Sequence, residues 1–309
     1  MLDIILGACL AGVAGLAAYP KWREYRRLPM DAAARADAPG EFVNLRHGTV
    51  HYRFYGPENG PLAVCVHGLT TPSFVFEGVA DRLVAQGYRV LTYDHFGRGY
   101  SDRPSVPQGR SFFTQNLLEL LDALGIEGQF DLVGYSMGGW VVTAFAADHP
   151  DRIKTLVLLA PAGMGHELGA LTKFCLRVPV VGPWLFALGY PRQHLHGTQA
   201  ERPLPSSVPF IIDRQQRELL YRGFIPSVLA SIRGALSATT EQDHNRLRDA
   251  HTRVIAVWGE CDDVIPLSCK DRLSAWNPNV THHIMAGAGH GVTYTHTDDV
   301  VAAMDLRGR

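Results

Sequence analysis

The pentapeptide Gly134-Tyr135-Ser136-Met137-Gly138 constrains this chain more than any other stretch. It fits G-x-S-x-G, a pattern that is weak evidence alone because glycine and serine are common. Its surroundings narrow the reading. Phe130–Val133 is a short apolar run of strand type, and Gly139–His149 (GWVVTAFAADH) carries helical apolar periodicity. A serine between such a strand and such a helix sits on a sharp, strained turn, and the flanking glycines relieve the crowding. Its hydroxyl then points out over the sheet, in front of a helix N-terminus that favours developing negative charge.

The strand feeding this turn has companions. Thr49–Tyr55 alternates polar and apolar residues, and Leu62–Val66, Arg89–Tyr93, Lys154–Leu159 and Arg253–Trp258 are short and rich in β-branched residues. Continuous apolar strands of this kind suit a parallel sheet buried on both faces. Helical patterns over Phe74–Gln86 and Ser111–Leu124 lie between them, which predicts a doubly wound α/β sheet. The alternation breaks between about Gly163 and Ala250, where Pro, Leu and aromatic residues dominate. Helices are expected there at Leu168–Leu176, Pro183–Leu188, Asp213–Tyr221 and Ile225–Leu236, as an insertion between two strands or as a separate helical domain. With 46% hydrophobic and 19% charged residues, the chain is neither disordered nor fibrous, and a net charge of −1 gives no case for nucleic acid.

A serine hydroxyl needs a base to become a nucleophile. On sheets with this kind of turn the order along the chain is Ser, acid, His. The strand ending at Trp258 leads into Gly259-Glu260-Cys261-Asp262-Asp263, which places a carboxylate just past a strand end. Asp262 is the expected acid, with Asp263 as the alternative. The last strand candidate, His282–Met285, is followed by Gly289-His290-Gly291, and His290 is the expected base. The oxyanion requires two donors. The N–H of Met137 directly follows the nucleophile, and the loop after Leu62–Val66 (His67-Gly68-Leu69) offers the N–H of Leu69. His67 reads as a residue that organises this loop. The cysteines Cys9, Cys65, Cys175, Cys261 and Cys269 have no metal-ligand spacing. No metal and no cofactor is expected.

Taken together, His67-Gly68, Asp94-His95-Phe96-Gly97-Arg98-Gly99-Tyr100-Ser101, Gly134 to Gly139, and Gly259 through Asp262 with Gly289-His290 make the chain similar to the α/β-hydrolase family over roughly residues 41–305. The resemblance implies a core over 41–162 and 251–309, a helical cap over 163–250, and a scaffold role for Asp94. Arg222-Gly223-Phe224 and Ser231-Ile232-Arg233 resemble the last cap helices of membrane-linked, monoacylglycerol-lipase-like members. Many relatives carry a proline before the last helix, where this chain has Thr295-His296-Thr297. A serine nucleophile implies hydrolysis of an ester, a related acyl bond or an activated C–C bond. Lipid-like or medium-chain esters such as monoacylglycerol are the expected substrates. The alternatives are a C–C hydrolase of meta-cleavage products and a non-catalytic protein of the same fold.

The N-terminus suggests a further element. Ile4–Tyr19 carries no charge and is followed by Lys21, Arg23, Arg26 and Arg27. This predicts a membrane-anchoring helix over 1–20, a linker over 21–40, and a catalytic body on the cytoplasmic side. A cleaved signal, or a helix docked on a protein surface, is the competing reading.

Overall fold

The computed structural model describes residues 1–165 and 170–306. Eight strands form one sheet: β1 (Glu41–Leu45), β2 (Gly48–Tyr55), β3 (Leu62–Val66), β4 (Arg89–Tyr93), β5 (Phe130–Tyr135), β6 (Ile153–Leu159), β7 (Val254–Gly259) and β8 (Thr281–Met285). Their order is β1-β2-β4-β3-β5-β6-β7-β8. β2 pairs antiparallel with β1 and β4, and every other pairing is parallel. Strand order reverses between β3 and β5, so the crevice beyond their C-terminal ends is where a site belongs in a doubly wound sheet.

Helices cover both faces, which is why the central strands carry apolar residues on both faces rather than on one. One face joins Val64, Leu91, Leu132 and Leu156 to α3 (Arg110–Ala123) and α4 (Met137–Asp148). The other joins Ala63, Val90, Val133 and Val157 to α2 (Glu77–Ala85), α11 (Val292–Thr295) and α12 (Thr297–Met304). Between β6 and β7 the chain forms α5 (Ala170–Arg177), α6 (Val181–Ala200), α7 (Ile211–Arg217), α8 (Phe224–Arg233) and α9 (Glu241–Asp249). Helices α5, α6 and α8 share an apolar cluster around Cys175, Phe186, Phe224 and Val228, while Ile211 and Ile212 of α7 join the cluster on the sheet. Helix α9 instead lies against α4 and α10 (Ser268–Trp276). The expected start of α5 at Leu168 lies outside the described residues. Helix α6 runs far beyond the expected Pro183–Leu188. Gly189 and Pro191 read locally as breakers, yet Phe186, Pro191 and His194 are buried along the helix and hold it together.

The expectation of a membrane anchor is overturned. Residues Leu2–Tyr25 do form a helix, α1, but among the described residues no helix is long and apolar enough to cross a membrane. The uncharged run of 16 residues spans as a helix only about 24 Å of a ~30 Å hydrocarbon core. The cytoplasmic placement derived from the basic flank falls with the anchor. The helix meets the insertion instead. The indole N–H of Trp184 donates to the Leu16 carbonyl at 3.0 Å, and Gly223 N–H donates to the Glu24 carboxylate at 2.6 Å. Leu28 then forms a parallel bridge with Tyr221.

Candidate active site

Ser136 occupies the turn between β5 and α4 with φ +54° and ψ −118°, a conformation a non-glycine residue enters at a cost of about 1–3 kcal/mol. Its surroundings enforce that geometry. The Ser136 N–H donates to the Leu159 carbonyl, and its carbonyl accepts from Gly139 and Ala162 N–H, each at 2.9 Å. The turn also presses on the neighbouring strand. A Cβ on Gly138 would lie 1.9 Å from the Val66 carbonyl oxygen, a backbone atom that cannot swing away. Gly138→Ala is therefore expected to destabilise the fold by about 3 kcal/mol or more, measured by urea unfolding.

The serine does not stand alone. His290 Nε2 lies 3.0 Å from Ser136 Oγ, and His290 Nδ1 lies 2.8 Å from Asp262 Oδ2. A carboxylate only accepts, so Nδ1 carries the ring proton and Nε2 is left to accept from the serine hydroxyl. Asp262 is buried and held by its other oxygen, which accepts the N–H groups of Val264 and Ile265 at 2.8 Å. Asp263, the alternative acid, is exposed to solvent. Tyr135 was not singled out from the sequence. Its hydroxyl donates to the His290 carbonyl at 3.1 Å and its ring packs against the imidazole. No sequence signal marks it, because it occupies a variable position of the pentapeptide.

The two oxyanion candidates flank the serine. Met137 opens α4, so its N–H belongs to the first turn and has no intrahelical acceptor. Across from it the loop after β3 comes close enough that a Cβ on Gly68 would lie 3.1 Å from Ser136 Cβ. His67 organises this loop from within. Its Nδ1 donates to the Gly68 carbonyl at 2.8 Å and its Nε2 accepts from His95 N–H at 2.9 Å. Burial lowers its pKa to about 4 and keeps the ring neutral, as this double role requires. A planar trans peptide points its N–H opposite its carbonyl. Holding the Gly68 carbonyl therefore directs the Leu69 N–H the other way.

The family model for the alpha/beta hydrolase fold matches residues 61–180. The chain has the α/β-hydrolase fold. A 2-hydroxy-6-oxononadienedioate/2-hydroxy-6-oxononatrienedioate hydrolase of Burkholderia vietnamiensis is 29% identical over 283 residues, which is 84% of this chain and 92% of that one. A 2-hydroxymuconate semialdehyde hydrolase of Pseudomonas putida is 26% identical over 223 residues, covering 69% of this chain and 74% of its own. Among solved structures, the enol-lactonase of Burkholderia xenovorans superposes with a TM-score of 0.69 at 19% identity, over 87% of this chain and 100% of that one. That last likeness shows the fold alone.

Two other polar features of this α/β-hydrolase lie apart from Ser136. Asp94, after β4, accepts from Ser73 N–H at 2.9 Å, Tyr100 N–H at 3.0 Å and His51 Nδ1 at 2.8 Å. Burial pushes its carboxyl up, but His51, His67 and the Ser73 N–H outweigh that and hold it well below the usual carboxylate range. His51 Nε2 faces the Pro39 carbonyl. Both partners of His51 are acceptors, so the ring donates twice and carries a charge. Burial opposes that charge, yet Asp94 raises the His51 pKa above its ordinary value. A cavity of about 80 Å³ opens beside this pair, between the sheet edge and α7, lined by charged residues such as Arg53, Glu77, Arg214 and Glu218 and by apolar ones such as Met30 and Phe74. None of Ser136, Asp262 and His290 lines it.

Proposed function

We propose that this α/β-hydrolase cleaves carboxylic esters with lipid-like or medium-chain acyl groups, such as monoacylglycerol, through an acyl-enzyme on Ser136. The observation that carries the reading is the unbroken hydrogen-bonded line from Ser136 Oγ through His290 to Asp262. In the first half-reaction His290 Nε2 takes the hydroxyl proton as Oγ bonds to the carbonyl carbon. The N–H groups of Leu69 and Met137 hold the oxyanion. Collapse breaks the C–O bond, and the leaving alcohol takes the proton from His290. Water then attacks the acyl-enzyme with His290 again as base, releasing the acid and restoring Ser136. Asp262 keeps the imidazole in the tautomer this sequence of transfers needs. Asp262→Asn is expected to lower kcat by about 10⁴-fold with little change in KM, measured by ester hydrolysis.

The insertion 163–250 serves in this reading as the cap over the site. The Leu69 side chain packs against its apolar cluster of Leu219, Phe224 and Val228, which supports an apolar acyl group. Rates over a series of p-nitrophenyl esters are expected to rise from acetate toward medium chains. A flat series, or activity on acetate alone, sinks the substrate class.

The two relatives of known activity favour a second reading, hydrolysis of a C–C bond in a meta-cleavage product. Incubation with a 2-hydroxy-6-oxo-dienoate separates the two, because its chromophore is lost only when that bond breaks.

A further inference from the structure

Arg98, in the turn after β4, is fully buried and in contact with both halves of the molecule. A guanidinium presents five N–H donors in a rigid fork, and here five acceptors meet them. Nε donates to the Leu69 carbonyl at 2.9 Å. Nη1 donates to the Phe96 carbonyl at 3.2 Å and to Gln108 Oε1 at 2.8 Å. Nη2 donates to the Ser227 carbonyl at 3.2 Å and to Ser231 Oγ at 2.8 Å. All of these acceptors are uncharged. Burying a cation against neutral partners is an expensive way to join loops, so its value lies in the geometry it imposes.

That geometry converges on Leu69. The carbonyl before its N–H is held by His67, and its own carbonyl is held by Arg98. The peptide that carries the candidate oxyanion donor is thus pinned on both sides. The same guanidinium grips α8 through Ser227 and Ser231, and the Leu69 side chain packs on the apolar cluster to which α8 contributes.

We propose that Arg98 is a positioning residue that aims the Leu69 N–H at the oxyanion, and that its bonds to α8 make this aim depend on the seating of the cap. The inference rests on the serine-hydrolase reading above. A fixed positive charge one peptide away from the donor also favours negative charge that exists only in the transition state.

The test uses the full chain with Arg98→Lys, which keeps the charge and loses the fork, and Ser231→Ala, which removes one of the two acceptors on α8 together with that hydroxyl's bond to Gln108. Two inhibitors separate the states. A trifluoromethyl ketone adds Ser136 to form an oxyanion, whereas a non-hydrolysable ether analogue binds as substrate does. Arg98→Lys is expected to lower kcat by roughly 10²-fold, the low end of what loss of an oxyanion donor costs, and Ser231→Ala by about fivefold. In each variant the ketone weakens by the same factor, while KM and ether affinity stay within about threefold. Rates are expressed per site labelled by a fluorophosphonate, so a merely structural role lowers the labelled fraction and leaves the rate per site intact. That result overturns the proposal, as does a fall in kcat without loss of ketone affinity. If Arg98→Lys does not fold, Ser231→Ala is judged by the same criteria, and wild-type kcat in it overturns the coupling. Wild-type protein that neither labels nor hydrolyses any ester marks failure of the underlying reading. Wild-type labelling with unaffected variants sinks this inference alone.

Discussion

Replacing Ser136 by alanine is expected to lower kcat for ester hydrolysis by roughly 10⁵- to 10⁶-fold, because the residues of such a unit fail together when the nucleophile is lost. What remains would be the contribution of binding and of the oxyanion donors alone. Labelling by a fluorophosphonate should disappear in the same variant. Stability should hardly change. The side chain is half-buried, its hydroxyl is bonded to His290, and alanine keeps the same strained backbone. A Ser136→Ala protein that retains more than a hundredth of wild-type turnover, with an unchanged melting temperature, would remove the acyl-enzyme from consideration.

Loss of Asp94 should instead destabilise the fold without touching the chemistry. Asp94→Ala leaves the charged His51 buried without its partner and orphans the N–H groups of Ser73 and Tyr100. Breaking a buried pair in this way costs about 3–5 kcal/mol, readable in the urea midpoint. The pair also gives stability a pH signature whose sign follows from the two shifts. Asp94 is depressed in the folded state, so its contribution is present above the unfolded value of about 3.9 and is lost only as pH falls through its lower folded value. His51 is raised, so its contribution is complete below about 6.5 and is lost as pH climbs through its higher folded value. The melting temperature is therefore expected to decline as pH rises from about 6.5, the unfolded histidine value. In His51→Gln that alkaline slope should flatten while ester turnover per site persists. An unchanged slope would show that the ring is not charged in the fold.

Much of the candidate site was legible because its signals are local. Each of Ser136, Asp262 and His290 lies within five residues of a strand's C-terminal end, and the strands read clearly since β-branched apolar runs bounded by glycines have few other uses. The same sheet then brings residues 154 and 28 positions apart into hydrogen-bonding distance. Other features were illegible for an equally physical reason. Arg98 reads in isolation as a solvent-facing charge in a glycine-rich turn, and its burial depends on acceptors as far away as Ser231. Pro191 argues for a break that the packing of α6 overrides. The uncharged N-terminal run is only 16 residues, about 24 Å as a helix against a ~30 Å hydrocarbon core. Its helix is present, but among the described residues none is long and apolar enough to cross a membrane.

The sequence by itself determined the parallel sheet, the order of the three candidate catalytic side chains and the strained turn that presents the first of them. These follow from periodicity and turn chemistry within a few residues. Only the tertiary structure decided which carboxylate meets His290, that Asp94 pairs with His51, where α1 lies, and that one buried guanidinium joins α8 to the loop beside Ser136. Those outcomes depend on desolvation and on hydrogen-bond partners that distant segments supply, and neither exists until the chain has packed.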